Sequence, residues 1–192
     1  RHDNWAFAMQ YNYDTQNTRL SFQTSPSSGV SDNVFTPDEI PINDGLWHHA
    51  LVTRNASSGT FRLYFDGVFI MDNEDVNNNW EAPSSVLAGT VTSNHPLLIG
   101  KHHPAHNRTA SGFVDDIAIW DKELNDAQIQ QLFNQESPAS VEYSNLTGYW
   151  NFESGSGSTI YDQTSYQNNG EIINSASWSD DVPSLPQQSS LN

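Results

Sequence analysis

The sequence predicts an all-β fold in which two antiparallel sheets pack face to face, with one short helix toward the C-terminus. Three observations lead to this prediction. Apolar and polar residues alternate with a period of two in several short segments, as in half-buried strands. The pair Asp66-Gly67 separates two such segments and indicates a hairpin, because a type I′ turn needs positive φ at both central positions. A single segment, near residue 125, has the pattern of a helix.

The strands are predicted in chain order from this alternation and from the turn residues between them. Residues 30–45 and 72–82 are predicted to be polar surface loops. The segments with strand patterns are Trp5–Tyr11, Arg19–Gln23, Leu46–Arg54, Thr60–Phe65, Val68–Met71, Pro96–Gly100 and Gly112–Trp120.

The predicted helix runs from Asn125 to Asn134. Asn125 is a good N-cap, and Gln128 stands three residues later, where the second partner of a capping box belongs. The spacing of the apolar residues gives one stripe that can dock on a sheet. That stripe consists of Ile129, Leu132 and Phe133.

The composition restricts the possible partners. Seven Lys and Arg against twenty-three Asp and Glu give a formal charge of −16, which disfavours nucleic acids and anionic membranes. Cysteine is absent, and no apolar run approaches the ~18 residues of a membrane span. The chain opens on Arg1-His-Asp-Asn rather than on a signal peptide. We therefore expect no nucleic-acid partner, no membrane insertion, and a place within a longer multidomain chain.

The stretch Asp44-Gly-Leu-Trp-His-His-Ala-Leu-Val-Thr-Arg54, followed by Phe61-Arg-Leu-Tyr-Phe-Asp-Gly67, resembles the middle of a laminin-G-like or pentraxin-like domain of the concanavalin A-like lectin/glucanase superfamily. Residues 115–133 resemble the way in which such domains of bacterial secreted proteins close. The resemblance implies an antiparallel jelly-roll β-sandwich, secreted or located at the cell surface. It also implies a module that binds a partner, often with calcium, rather than an enzyme.

Residues 146–178 resemble the opening strands of the same kind of domain, although here they follow the closing helix. We therefore divide the chain into a jelly roll without its own opening strands (1–136), a linker (137–145), opener-like strands (146–178) and a polar tail (179–192). The opener-like strands either complete the same sandwich or begin a second, truncated repeat. The first alternative is favoured because three isolated strands cannot bury a half-apolar face alone.

A calcium site is predicted from the acidic residues. On a continuous strand over residues 113–120, one of two adjacent aspartates must lie among apolar neighbours, where an unpaired carboxylate is costly. Residues 162–170 form an oxygen-rich loop of the kind that calcium prefers, and in similar domains such a loop meets the Asp-Asp strand around the ion. The alternative is an Asx-turn loop and a hydrogen-bonded aspartate, without a metal. The predicted ligands are Asp162, Asp115, Asp116, Asn168, Asn169 and Gly170.

No catalytic residues are predicted. Nucleophile elbows, P-loops and His-Glu-x-x-His are absent from the sequence, and the acidic clusters 38–39 and 72–75 lie in predicted loops rather than side by side on a strand. The cluster His102–His106 is predicted to be a solvated loop. The aromatics Trp80, Tyr11 and Tyr13 are candidates for stacking on sugar rings, and packing in the core or at its rim is the alternative.

The sequence as a whole indicates a non-catalytic extracellular module that binds a glycan or a surface protein and is stabilised by calcium. A structural spacer in an adhesin or surface filament is the alternative. A third possibility is a glycoside hydrolase whose carboxylates follow an unfamiliar pattern.

Overall fold

A computed structural model of the protein describes residues 5–12, 17–24, 32–36, 40, 42–72, 96–100, 111–134, 136–174 and 176–183. Within the first three strands, side chains are described for residues 18–22. The chain divides into two compact units, Arg1–Ser111 and Gly112–Asn192.

The described residues of the first unit form two three-stranded sheets, both antiparallel. In each sheet the strands are adjacent in chain order, as expected for strands joined by turns. The strands of the first sheet are β1 (Trp5–Asn12), β2 (Asn17–Thr24) and β3 (Asp32–Phe35). Those of the second are β4 (Ala50–Arg54), β5 (Phe61–Phe65) and β6 (Val68–Asp72).

The two sheets of the first unit bury a common core. Phe22 of β2 packs edge-on against Phe61 of β5, with ring centroids 5.1 Å apart and planes inclined by 64°. Leu63 and Met71 complete this buried cluster, so residues from both sheets exclude water from one apolar layer. The prediction of antiparallel sheets packed face to face is confirmed here.

The predicted hairpin at Asp66-Gly67 is also confirmed. β5 and β6 pair in antiparallel fashion, and the two turn residues have φ values of 49° and 73°. Asp tolerates positive φ better than most residues and Gly has no side chain to clash, which explains why this pair occupies the turn.

In the part of the second unit that the structure describes, there are two pairs of antiparallel strands and one α-helix. β7 pairs with β8 and β9 pairs with β10, and a single bridge joins Trp150 at the end of β8 to Asp162. The elements are β7 (Ile117–Trp120), α1 (Asp126–Phe133), β8 (Leu146–Trp150), β9 (Thr159–Ile160) and β10 (Gly170–Glu171).

Helix α1 confirms the helix prediction. The Asn125 side chain accepts a hydrogen bond from the main-chain N–H of Gln128, and the Gln128 side chain accepts one from the main-chain N–H of Asn125. This reciprocal pair is the predicted capping box. Ile129 and Leu132 of the predicted stripe are buried.

Residues 137–145, which the sequence analysis treats as a linker, form two short 3₁₀ turns, Pro138–Ser140 and Tyr143–Asn145. Val141 between the turns is buried, and its carbonyl accepts a hydrogen bond of 2.9 Å from the indole N–H of Trp120 in β7. The division of the chain given above remains a prediction, but this segment packs as part of the second unit.

Several predicted strand boundaries are wrong. β7 begins at Ile117 instead of Gly112, because Asp116 has a φ of 47° and interrupts the extended conformation. Residues 96–100 form no strand. β4 begins at Ala50 instead of Leu46, and β3 lies inside the segment predicted as a loop.

The described residues thus form antiparallel strands with one α-helix, which confirms the all-β class. Among them, no helix combines the length and apolar character required to cross a membrane.

Candidate functional site

The carboxylate of Asp162 holds together the loop between β9 and β10. Asp162 is buried (7% exposed), and its Oδ1 accepts hydrogen bonds of 3.0 Å from the main-chain N–H groups of Tyr149 and Thr164. Its Oδ2 accepts bonds of 2.9 Å from the Thr164 hydroxyl and from the main-chain N–H of Asn168. Four donors therefore surround one carboxylate, and one of them comes from β8.

The remaining oxygens of the loop also accept hydrogen bonds from the protein. Asn169 Oδ1 accepts from the main-chain N–H of Asp162 at 3.0 Å. The main-chain oxygen of Asn168 accepts from the indole N–H of Trp150 at 2.9 Å. Gly170 begins β10, opposite Ile160. The loop is thus a hydrogen-bonded unit anchored on β8.

These contacts change the acidity of Asp162. Burial acts to raise the pKa of its carboxyl, but the hydrogen bonds from Thr164, Tyr149 and Asn168 outweigh burial, so the pKa lies below the ordinary value. The charged carboxylate is consequently the form that the folded loop prefers.

The other predicted carboxylates lie just before β7. The hydroxyl of Tyr149 donates a hydrogen bond of 2.8 Å to Asp116 Oδ1, and Asp115 Oδ1 accepts one of 3.0 Å from the main-chain N–H of Asp116. Burial raises the pKa of the Asp115 carboxyl, and the neighbouring charges of Asp116 and Glu153 raise it further. Negative charge is therefore concentrated near Asp115.

Tyr149 connects the two groups of predicted ligands. Its main-chain N–H donates to Asp162 and its hydroxyl donates to Asp116. Burial and the bond to Asp116 raise the pKa of its hydroxyl, so Tyr149 stays a hydrogen-bond donor under physiological conditions. One carboxylate is thus bound at each end of this tyrosine.

The fit of this arrangement to calcium can be judged from its oxygens. Calcium takes six to eight oxygen ligands. The bond from Thr164 N–H to Asp162 Oδ1 is an Asx-turn, the metal-free alternative given in the sequence analysis, and both Asp162 oxygens already have protein donors. Within the described ranges, no three acidic or histidine side chains are grouped so as to hold a metal ion. The calcium site remains a prediction.

Two exposed aromatic side chains belong to the same loop and were missed by the sequence analysis. Tyr161 is 54% exposed and Tyr166 is 61% exposed. They flank Asp162 and Thr164, which are buried. A signal was present in the sequence, since two tyrosines enclose a run of polar residues there.

The predicted sugar-stacking side chains all lie outside the described part of the chain. Trp80 and Tyr13 lie outside the described residues, and Tyr11 belongs to β1 but its side chain lies outside the described part. The cluster His102–His106, the acidic residues 38–39 and the acidic residues Glu74 and Asp75 also lie outside the described residues. These assignments remain predictions. Asp72, which was predicted to lie in a loop, is instead the last residue of β6.

The antiparallel sheets and the single capped helix define the class of the protein as a β-sandwich domain. A family model described as the concanavalin A-like lectin/glucanases superfamily, of the laminin-G type, matches residues 1–130. The chain therefore belongs to this family, and the resemblance seen in residues 44–67 is confirmed.

Two known proteins show more distant similarity. The "Sushi, von Willebrand factor type A, EGF and pentraxin domain-containing protein 1" of Rattus norvegicus is 25% identical over 120 residues. The match covers 59% of this chain and 3% of the rat protein, so the chain spans only a small part of that relative. The crystal structure of an S-layer domain-containing protein from Clostridium thermocellum (residues 221–444) shares 21% identity at a TM-score of 0.38, over 69% of this chain and 65% of that chain.

Proposed function

We propose that the chain is a non-catalytic extracellular module that binds a glycan, or a glycan-bearing surface protein, through exposed aromatic side chains. The observation that carries this proposal is the position of Tyr161 and Tyr166 on a loop that Asp162 holds in place. Membership in a superfamily of lectins and glucanases supports a carbohydrate ligand.

The physical argument concerns exposure and rigidity together. A tyrosine ring presents a flat apolar face with a polar tip, which suits the apolar faces and hydroxyl groups of a sugar. Binding to a mobile loop costs the entropy of ordering that loop, whereas a loop already fixed by hydrogen bonds avoids much of this cost. The four bonds to Asp162 supply that fixation.

The wider setting is also part of the proposal. The chain corresponds to a small fraction of the rat protein, whose name describes several kinds of domain. Its formal charge of −16 keeps it away from anionic membranes and nucleic acids. We therefore infer a module of a longer secreted or cell-surface protein.

Glycan-array screening followed by titration calorimetry tests the binding proposal. We expect saturable binding to a glycan. Tyr161→Ala and Tyr166→Ala should each weaken it about tenfold, equivalent to ~1.4 kcal/mol. Tyr143→Ala is the matched control, because Tyr143 is equally exposed (55%) in a 3₁₀ turn of the same unit and should leave the affinity unchanged.

Each alternative predicts a different result. A structural spacer shows no saturable binding on the array, and a glycoside hydrolase releases reducing sugar from polysaccharides. If binding is lost in Trp80→Ala, Tyr11→Ala or Tyr13→Ala but not in the Tyr161 and Tyr166 variants, the ligand site lies in the first unit.

We further propose that calcium stabilises the second unit at the carboxylates before β7. The observation that favours it is that Asp115, which is partly buried, and Asp116 lie side by side just before β7, where burial and the charges of Asp116 and Glu153 raise the pKa of the Asp115 carboxyl. A divalent cation would relieve this repulsion, and oxygens of Asp162, Asn168, Asn169 and Gly170 are the further predicted ligands. Its function would be structural.

Thermal melts with millimolar calcium and with chelator test this proposal. At ~100 times its dissociation constant, calcium should stabilise the protein by about 2.7 kcal/mol. Asp115→Asn and Asp116→Asn should abolish the difference between the two conditions. If the intact chain melts identically in calcium and in chelator, calcium does not stabilise the second unit and the proposal is wrong.

A further inference from the structure

The side chain of His48 lies between two carboxylates of the first unit. Its Nδ1 is 2.9 Å from Asp66 Oδ2 in the β5–β6 turn, and its Nε2 is 2.9 Å from Asp44 Oδ1 in the loop before β4. The ring stacks on Phe65, with centroids 4.6 Å apart and planes inclined by 30°. The His48 side chain is only 16% exposed, so water competes little for its nitrogens.

The number of protons on the ring decides how many of these contacts are hydrogen bonds. An ionised carboxylate can only accept, and a neutral imidazole carries one N–H. Both contacts are therefore attractive only when both ring nitrogens are protonated. In the neutral ring, one nitrogen lone pair faces a carboxylate oxygen.

The surroundings favour the protonated ring. Partial burial acts to lower the pKa of His48, but the hydrogen bonds with Asp44 and Asp66 outweigh it, so the pKa lies above the ordinary value. The bond to His48 is also the main cause that lowers the pKa of Asp44. The neighbouring His49 behaves oppositely, because burial lowers its pKa despite the nearby charge of Asp66.

The carboxylates of Asp44 and Asp66 differ in how firmly other hydrogen bonds fix them. Asp66 is fixed in the hairpin, where its Oδ1 accepts the main-chain N–H of His49 and its own N–H donates to the His49 carbonyl. Asp44 Oδ1 also accepts the main-chain N–H of Leu46, within its own loop. When the ring loses a proton, Asp44 can separate from it and keep this local donor.

We propose that Asp44, His48 and Asp66 form a pH-responsive clamp that fixes the loop of residues 43–47 to the β5–β6 turn and releases it when the imidazole becomes neutral. This loop carries Leu46, whose side chain is 72% exposed. The clamp therefore decides whether this exposed apolar side chain is held in one position or becomes mobile with its loop. This proposal is independent of glycan and calcium binding.

The pH range of the clamp follows from the directions of the two shifts. Because the pKa of His48 is higher in the folded state, its contribution is complete below the ordinary value of ~6.5 and is lost as pH rises through the folded pKa. Because the pKa of Asp44 is lower in the folded state, its contribution is lost as pH falls through that folded pKa. The clamp is therefore closed in an intermediate range and opens on the alkaline side by deprotonation of His48.

Nitrogen-detected NMR of the intact chain from about pH 4 to about pH 10 tests the clamp, because it reports the protonation of each ring nitrogen. We expect His48 to titrate above the ordinary histidine value and His49 below it. The main-chain amide signals of Gly45 and Leu46 should shift with the same midpoint as His48. In Asp44→Asn, the midpoint of His48 should fall and the loop signals should no longer follow it.

Asp44→Asn is a suitable test variant, because it removes the charge that faces His48 without disturbing the fold. Asp44 is at the surface, and an asparagine can still accept the hydrogen bond from the main-chain N–H of Leu46. His48→Gln is the second variant, in which the amides of Gly45 and Leu46 should show no titration on the alkaline side. A His48 midpoint at or below ~6.5 would overturn the proposal. Loop signals that titrate unchanged in either variant would also overturn it.

Discussion

Asp66 in the first unit and Asp162 in the second unit both hold a loop against a strand, but their hydrogen-bond donors differ. Asp66 accepts a main-chain N–H from His49 and faces the imidazole of His48. Asp162 accepts three main-chain N–H groups and one hydroxyl. Main-chain amides and hydroxyls keep their protons throughout the range in which a histidine titrates. The first contact can therefore respond to pH near neutrality, whereas the second cannot.

The two aspartates also differ in burial. Asp162 is buried, whereas the Asp66 side chain is 36% exposed, so water can replace lost partners at Asp66 but not at Asp162. A hydrogen bond contributes most when its loss leaves a buried group without a partner. The hydrogen-bond donors and the burial of an aspartate, rather than its residue type, therefore decide whether its contacts persist at every pH near neutrality or depend on pH.

The largest effect is expected for Asp162→Ala. This change removes the acceptor of Tyr149, Thr164 and Asn168 N–H groups and should destabilise the second unit by about 3 kcal/mol. Urea unfolding, followed by the NMR signals of each unit, measures it. Asp162→Asn keeps one acceptor oxygen and should lose about half as much. A loss below ~1 kcal/mol for the alanine variant would contradict the idea that Asp162 organises the loop.

A smaller effect is expected for Asp66→Ala. The variant loses the bonds to His48 and His49 and places an alanine at positive φ, which together should cost about 2 kcal/mol. Asp66→Asn is the matched control, since asparagine tolerates this conformation in a type I′ turn and should lose about half as much. The same urea series measures both variants. Equal losses in the two variants would show that neither the turn conformation nor the acceptor oxygen that asparagine retains contributes to stability.

The smallest effect is expected for Tyr149→Phe. The variant removes the hydroxyl that binds Asp116 but keeps the main-chain N–H that binds Asp162, so it should cost about 1 kcal/mol. Amide signals of residues 115–117 should shift, while those of residues 162–169 should stay in place. Large shifts in both groups would mean that the two carboxylates respond as one site.

The elements that the sequence predicted correctly are those with local signals. The capping box of α1 and the Asp66-Gly67 turn each need residues only a few positions apart, and both form as predicted. β3 was missed because half of its four residues are polar and its pairing with β2 is not encoded locally. Residues 96–100 have a strand-like composition, but composition alone does not supply a partner strand.

The candidate site was predictable in composition but not in its contacts. The sequence indicated that Asp162, Asn168 and Asn169 form an oxygen-rich loop, and the structure places them together. It could not indicate that Tyr149 donates to Asp162, because that bond depends on how β8 meets the loop. In the same way, the position of His48 between Asp44 and Asp66 depends on the pairing of β4 with β5.

The most direct test of the contrast between the two aspartates is the free energy of unfolding of the intact chain, Asp162→Asn and His48→Gln as a function of pH. The pKa of Asp162 is lower in the folded state, so its contribution should be present above the ordinary aspartate value of 3.8 and be lost as pH falls through the folded pKa. The difference between the intact chain and Asp162→Asn should therefore stay constant from neutral to alkaline pH. The difference for His48→Gln should instead decline as pH rises above ~6.5 and through the folded pKa of His48. Two differences that follow the same course on the alkaline side would contradict this account.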